Sequence, residues 1–75
     1  MFDDFRQNAK TIAKSKRLTY AMIATRAGVE ESTIKTFMCG ANDSRRIAEK
    51  IADVLGVKLL YSEGEYHISE TEEST

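Results

Sequence analysis

The sequence predicts a mainly α domain of four to five helices with a β-hairpin at its C-terminal end. Two observations support this fold class. Apolar residues recur at helical spacing up to Leu55, and from Val57 onward they alternate with a period of two. The 75 residues suffice for one domain with a small core. We therefore expect a single domain over residues 1–69, with the hairpin at about 57–69.

The first helix is expected over Met1–Lys16. Asp3 and Asp4 lie near its N-terminus, where negative charge interacts favourably with the helix dipole. Its apolar residues fall close to one face at helical spacing; they are Phe2, Phe5, Ala9, Ile12 and Ala13. The opposite face and the C-terminal end carry cations that either complement the dipole or reach a phosphate backbone; these are Lys10, Lys14, Lys16 and Arg17.

Two short helical patterns follow, separated by Gly28. Thr19 is a suitable N-cap for the first of them, which has a narrow apolar stripe between Ile23 and Ala27. Gly28 stands where the chain must reverse, because glycine adopts a positive φ at little cost. The second pattern, at about 31–38, resumes the apolar spacing on the far side. Together they predict a helix-turn-helix.

The fourth helix is expected to begin after Asp43 or Ser44 as N-cap and to run to Leu55, with Gly56 as the residue that ends it. Five apolar residues form one stripe along this helix; they are Ile47, Ala48, Ile51, Ala52 and Leu55. We interpret this stripe as core and not as a cofactor pocket.

In the predicted hairpin, a turn at Glu63-Gly64 places four apolar residues on one face as two cross-strand pairs. The pairs are Tyr61 with Tyr66 and Leu59 with Ile68. Because an isolated hairpin is marginally stable in water, this face is expected to cover the fourth helix or to meet a second chain. The second alternative is favoured, which makes these four residues the predicted dimerisation contacts. His67 is interpreted as a half-exposed strand residue and not as a ligand.

The net charge of −1 conceals a division along the chain. Residues 1–60 hold eleven Lys/Arg and seven Asp/Glu, whereas residues 61–75 hold five Glu and no Lys/Arg. The body therefore carries a formal charge of +4 and the C-terminal part −5. A basic body suits a polyanionic partner, although a solvated surface explains the same charges. The polar, acidic residues 70–75 are expected to be a disordered tail.

Composition argues against several classes of protein. Cys39 is the single cysteine and His67 the single histidine, so an internal disulfide and a zinc-finger ligand set are both excluded. The sequence has no Ser/His/Asp, Cys/His or phosphate-cradling glycine pattern, and we expect neither an enzyme nor a cofactor. It also has no long apolar run or secretory leader. A cytoplasmic protein without membrane association is therefore expected.

The stretch LTYAMIATRAGVEESTIKTF resembles the phage repressor and Cro-like (XRE-type) helix-turn-helix domains. The resemblance rests on Ala24, the Gly28-Val29 turn, the Ser32-Thr33-Ile34 run, Phe37 and Gly40. With the helix from Ser44 to Val57, it covers roughly Phe5 to Leu59. Two departures stand out. Tyr20 replaces the glutamine most common in the family, and Glu30-Glu31 stand where the family usually has serine and a polar or basic residue.

The resemblance implies a lambda-repressor-like fold and a sequence-specific transcriptional regulator that reads the DNA major groove with the helix at about 31–38. The base-facing positions would be Glu31, Ser32, Lys35 and Thr36. The phosphate-facing positions would be Tyr20, Cys39, Asn42, and Arg45 or Arg46, with a base contact as the alternative for Asn42. The implied partner is double-stranded DNA, bound as a homodimer.

The glutamates of this helix point to weak or highly selective DNA binding, because carboxylates near phosphates add like-charge repulsion. The alternative function is a protein-interaction module of the same fold that no longer binds DNA. Such a module would bind another regulator or a toxin-like protein, as an antitoxin does. Salt dependence separates the two, since phosphate contacts release counterions.

Overall fold

The first four elements of the chain are helices and the last two are strands, in the computed structural model that describes residues 1–69. They are α1 (Asp3–Ser15), α2 (Tyr20–Ala27), α3 (Glu31–Met38), α4 (Arg45–Leu55), β1 (Lys58–Ser62) and β2 (Glu65–Ser69). The predicted mainly α fold with a C-terminal hairpin is confirmed. The predicted tail at 70–75 lies outside the described residues. In the part that is described, no helix has the length and apolar character needed to cross a membrane.

Local signals set most of the helix ends. Thr19 Oγ1 accepts a hydrogen bond from the Met22 backbone N–H at 3.1 Å, which confirms Thr19 as the N-cap of α2. Ser44, and not Asp43, caps α4 in the same way, and Gly28 and Gly56 end α2 and α4 at a φ of 75°.

Helix α1 is shorter than the predicted Met1–Lys16, because the first residue is engaged elsewhere. The Met1 carbonyl oxygen accepts a hydrogen bond from the Tyr66 N–H at 2.8 Å, and so pairs with the outer edge of β2. Phe2, the residue before α1, then turns its side chain fully into the core. The N-terminus of the chain is thus attached to its C-terminal hairpin.

The core lies where the four helices meet under the hairpin. Three phenylalanines pack edge to face at its centre, with ring centroids 5.3 Å apart for Phe2 and Phe37 and 6.0 Å apart for Phe5 and Phe37. Small residues on α1, α2 and α4 let the helices approach around them; they are Ala9, Ala13, Ala24, Ala48 and Ala52, all buried. Fully burying each phenylalanine contributes roughly 1.5–3 kcal/mol to stability.

The hairpin has the predicted register, with Leu59 opposite Ile68 and Tyr61 opposite Tyr66. Its two-residue turn has positive φ at both Glu63 (53°) and Gly64 (80°), as a type I′ turn requires. Strand β2 packs on α1, and β1 packs on α4. The hairpin therefore covers two helices, where the sequence had suggested only the fourth.

This packing covers most of the apolar hairpin face that predicted a dimer. Leu59, Tyr66 and Ile68 are half-buried against the chain's own core, and the Tyr66 ring stacks on Phe2 at a centroid distance of 4.5 Å. Only Tyr61 of the four predicted dimer contacts remains well exposed, at 58%. The need to cover an apolar face is thus met within one chain. The dimer stays a prediction and depends on Tyr61 most of all.

Polar contacts also join the hairpin to α1. The Asp4 backbone N–H donates to Glu65 Oε2 at 3.0 Å, while His67 Nδ1 lies 2.8 Å from Asp4 Oδ2. The bond from Asp4 lowers the pKa of the Glu65 carboxyl below its ordinary value of 4.5, and the nearby Met1 ammonium and His67 act in the same direction. Phe2 offers no side-chain cap to α1, so Glu65 supplies one from the other end of the chain.

Candidate nucleic-acid interface

Helix α3 has one buried side and one exposed side. Ile34, Phe37 and Met38 are buried in the core. The opposite side carries five exposed residues at positions one and four apart along the helix, which we call the α3 face: Glu31, Ser32, Lys35, Thr36 and Cys39. The structure thus brings together all four residues predicted to face bases, and one of those predicted to face phosphates.

A tight connection between α2 and α3 leaves this face uncovered. Only Gly28, Val29 and Glu30 separate the two helices. The Val29 N–H donates to the Ala24 carbonyl at 3.0 Å, and the Gly28 N–H donates to that of Thr25 at 3.3 Å. These bonds satisfy two of the last four carbonyls of α2, where the chain turns sharply. Because the apolar side of α3 then packs on α2 and α4, its polar side remains in solvent.

The charges on the α3 face are paired with each other. Lys35 Nζ lies 3.2 Å from Glu31 Oε2, one helical turn away, and the two side chains are 61% and 46% exposed. An exposed pair at this spacing is worth only about 0.3–0.5 kcal/mol. Both side chains are therefore free to exchange their partner for a ligand at small cost. Ser32 and Thr36 lie beside them and make no side-chain hydrogen bond to residues 1–69.

The residues predicted to contact phosphates differ in their exposure and in their hydrogen bonds. Tyr20 is half-buried at the start of α2 and packs against the core. Cys39 is exposed, and its Sγ donates to the Thr36 carbonyl at 3.3 Å. The carbonyl of Asn42 is engaged by Arg6, whereas its side-chain amide makes no hydrogen bond within the described part of the chain.

The two arginines at the start of α4 differ. Arg45 Nε forms an ion pair with Glu49 Oε2 at 3.1 Å, although its side chain is 69% exposed. Arg46 is exposed and has no carboxylate partner among residues 1–69. Of the two, Arg46 is thus the cation that is available to a phosphate without breaking an existing contact.

Sequence reasoning missed Arg6, the only buried charged residue of the described chain. Its Nε donates to the Phe37 carbonyl at 2.6 Å, and its Nη2 donates to the Asn42 carbonyl at 2.7 Å and to Asp43 Oδ1 at 2.8 Å. The guanidinium carbon also lies 4.7 Å from the centroid of the Phe37 ring. Arg6 therefore holds the end of α3 and the loop that follows it.

A signal for Arg6 was present in the sequence. Residues 2, 5, 9 and 13 form the apolar stripe of α1, and position 6 falls on the same stripe at helical spacing. A charged residue on an apolar stripe indicates a buried charge that must have partners, because an unpaired one is costly. The identity of those partners, 31 to 37 residues away, has no local signal.

Within residues 1–69, no three His, Cys, Asp or Glu side chains converge closely enough to hold a metal ion. Comparison with protein-family models, curated proteins and solved structures finds no match to the chain.

Proposed function

We propose that the protein is a sequence-specific, DNA-binding transcriptional regulator in which α2 and α3 form a helix-turn-helix of the lambda-repressor-like kind. The observation that supports this most is the α3 face, a continuous exposed polar surface on a short helix whose other side is anchored in the core. A major groove about 12 Å wide admits one such helix. The neighbouring α2 and the loop before α4 are then placed beside the phosphate backbone.

Four residues of the α3 face contact bases in this proposal. Lys35 donates to the O6 and N7 atoms of guanine, and Glu31 accepts from the N4 amino group of cytosine. Thr36 places its methyl group against a thymine methyl, and Ser32 donates or accepts. Because Glu31 and Lys35 lie 3.2 Å apart before binding, they would exchange one ion pair for contacts to neighbouring base edges. A carboxylate held this close to DNA penalises sequences that offer it no donor, so binding is selective.

Phosphate contacts are assigned to residues at the edges of the α3 face. Arg46 and Arg45 lie in the first turn of α4, Tyr20 opens α2, and Cys39 and Asn42 belong to the end of α3 and its loop. These contacts orient the helix in the groove and carry no sequence information themselves. Arg6 acts indirectly, since its bonds to Phe37 and Asn42 fix the loop that presents Asn42.

The proposed DNA-bound form is a homodimer. Two recognition helices related by a two-fold axis enter successive major grooves roughly 34 Å apart, which multiplies two weak half-site contacts. Tyr61, which is 58% exposed on β1, is the predicted dimer contact that remains available for such an association. Tyr66 supports Tyr61 from within, with ring centroids 4.7 Å apart.

A protein-interaction module is the second candidate. The observations that favour it are the two glutamates at the start of α3 and the exposed apolar residues of β1. In this alternative the α3 face or the hairpin binds another regulator or a toxin-like protein. Its affinity would depend weakly on salt, because an apolar interface releases few counterions.

Selection of binding sites from random duplexes, run at a low and a physiological salt concentration, tests the proposal. We expect one enriched motif and an affinity that falls steeply with salt. The Lys35→Ala variant should lose the base preference at one position of the motif. Lys58→Ala, an equal change of charge in β1, should keep the whole motif. Absence of any enriched motif together with no duplex binding at low salt would overturn the proposal in favour of the interaction module.

A further inference from the structure

Strand β1 has backbone groups that point away from the hairpin. The Tyr66 N–H lies on the outer side of β2, because it donates to the Met1 carbonyl. Tyr61, which lies opposite Tyr66, therefore belongs to a pair that exchanges no backbone hydrogen bond. Such pairs alternate with hydrogen-bonded pairs along an antiparallel ladder, so Leu59, opposite Ile68, belongs to one as well. The N–H and C=O groups of Leu59 and Tyr61 thus point outward from β1.

These groups form an open strand edge, which we call the β1 edge: the outward N–H and C=O groups of Leu59 and Tyr61. None of them makes a hydrogen bond to another residue of the described range 1–69. The strand around them is exposed at Lys58, Leu60, Tyr61 and Ser62. Unpaired backbone groups on an exposed strand are a template for pairing with another strand. The β1 edge is therefore an interaction surface for an extended segment.

We propose that the β1 edges of two copies of the chain pair antiparallel across a two-fold axis, so that their two hairpins join into one sheet. The positions of the outward groups determine the register. When Leu60 lies opposite Leu60 of the second copy, Leu59 lies opposite Tyr61 of the second copy, and Tyr61 opposite its Leu59. Each of these two outward pairs exchanges two hydrogen bonds. Every N–H and C=O group of both edges then has a partner.

The two neighbouring registers pair fewer of these groups. With Leu59 opposite its own copy, Tyr61 lies opposite Val57, whose N–H already donates to the Ala52 carbonyl at 3.0 Å. With Tyr61 opposite its own copy, Leu59 lies opposite Glu63, which belongs to the hairpin turn and has a φ of 53°. The register centred on Leu60 is thus the one that the β1 edge favours.

The side chains of β1 also suit a second copy as the partner. Leu60 is 50% exposed on the face of the hairpin that points away from the core, and it would meet Leu60 of the second copy in a close apolar pair. Lys58, the one charged residue of β1, falls opposite Ser62 of the second copy, beside the turn that carries Glu63. Like charges are therefore kept apart and opposite charges brought near, which makes the edge complementary to itself.

This pairing needs no DNA, but its use rests on the proposed function. It identifies the surface through which the proposed homodimer forms. A two-fold axis through the β1 edge relates the α3 faces of the two copies, so the preferred duplex would carry an inverted repeat with one half-site for each copy.

Amide hydrogen exchange of the wild type, followed by NMR without DNA, tests the pairing directly. The amides of Leu59 and Tyr61 have no acceptor in the single chain and should exchange quickly in dilute solution. We expect their exchange to slow as the protein concentration rises to high micromolar values, whereas the Leu60 amide, already bonded to His67, should change much less. A rate that does not depend on concentration, or slowing confined to other amides, would overturn the inference.

Sedimentation equilibrium of charge-swapped variants tests the register. Leu60→Glu and Leu60→Lys each place like charges opposite one another, so each variant alone should associate at least about tenfold more weakly than wild type. An equal mixture of the two should associate again, because opposite charges then meet. Met22→Glu and Met22→Lys make the same changes at a 39% exposed residue of α2 and should behave as wild type, alone or mixed.

A dimer that tolerates both Leu60 variants would overturn the register. The exchange measurement uses only the wild type, so it decides the pairing even if a variant fails to fold. A final titration with the selected duplex separates this inference from the proposed function. A paired β1 edge without duplex binding would uphold the pairing and refute DNA binding, whereas duplex binding by a protein whose β1 edge stays unpaired would do the reverse.

Discussion

Arg6 in α1 and Phe37 in α3 are joined by a hydrogen bond of 2.6 Å from the guanidinium Nε to the backbone carbonyl. The Phe37 ring packs in the core. Its backbone carbonyl lies in the last turn of α3, where carbonyls have no hydrogen-bond partner inside the helix. The same guanidinium reaches Asn42 and Asp43. One buried side chain therefore fixes both the end of α3 and the loop that leads to α4.

Replacement of Arg6 by alanine should destabilise the protein by about 2–5 kcal/mol. The change leaves the half-buried Asn42 carbonyl without a donor, leaves the Phe37 carbonyl only the Gly40 N–H, and removes packing against two phenylalanine rings. Arg6→Lys should recover only part of the loss, since a lysine cannot reproduce the planar fork. Urea denaturation measures both variants, with Arg46→Ala as a control expected within about 0.5 kcal/mol of wild type. An Arg6→Ala loss no larger than that of the control would show that the bonds do not matter to stability.

Arg46→Ala should weaken DNA binding equally on every sequence and reduce the slope of log affinity against log salt by about one unit. Arg45→Ala should do the same to a smaller extent, because Arg45 must first leave Glu49 at 3.1 Å. Fluorescence anisotropy titrations over a series of salt concentrations measure the slopes. An unchanged slope in both variants would remove these arginines from the interface.

Substitutions of Tyr61 and Tyr66 distinguish a contact between two chains from packing within one chain. Tyr66→Asp should lower stability by at least about 2 kcal/mol, since it removes the stacking on Phe2. Tyr61→Asp should leave stability nearly unchanged, because the side chain is 58% exposed, and should lower both self-association and DNA affinity. Sedimentation equilibrium decides the point. A wild type that stays monomeric at high micromolar concentration, with or without DNA, would end the dimer proposal.

Glu65 should make part of the stability dependent on acid pH. Its pKa is lowered in the folded protein by the Asp4 N–H, so its contribution is present above the ordinary value of 4.5 and is lost as the pH falls through the lowered folded value. Glu65→Gln should therefore be less stable than wild type near neutral pH, and the difference should shrink below about pH 4.5. Thermal unfolding at several pH values measures it. A difference that is constant with pH would show that the carboxylate charge plays no part.

The features that the sequence predicted well have causes within a few residues. Thr19 caps the helix that follows it, Gly28 and Gly56 permit the left-handed backbone that ends a helix, and the Glu63-Gly64 turn sets the register of the hairpin. The α3 face was also predictable, because apolar residues at helical spacing leave the remaining positions in solvent.

The features that it did not predict depend on contacts between distant parts of the chain. The partners of Arg6 lie 31 to 37 residues away, and the cap that Glu65 supplies to α1 joins residues 61 positions apart. The bond from Asp4 to Glu65 and the stacking of Tyr66 on Phe2 hold β2 against the start of α1. The spacing of apolar residues describes one helix or strand at a time. It indicates that a face is buried, but it does not identify the element that packs against that face.

Major-groove reading by Lys35 is the central claim, and a nucleobase that lacks one acceptor tests it most directly. The guanine assigned to Lys35 in the selected site is replaced by 7-deazaguanine, which removes N7 and leaves base pairing intact. Affinities of wild type and Lys35→Ala are measured on both duplexes as a double-substitution cycle. The account predicts that wild type loses part of the roughly 1–3 kcal/mol of a bidentate contact, and that Lys35→Ala loses nothing further on the altered duplex. Equal losses for the two proteins, or no loss for wild type at any guanine of the site, would contradict it.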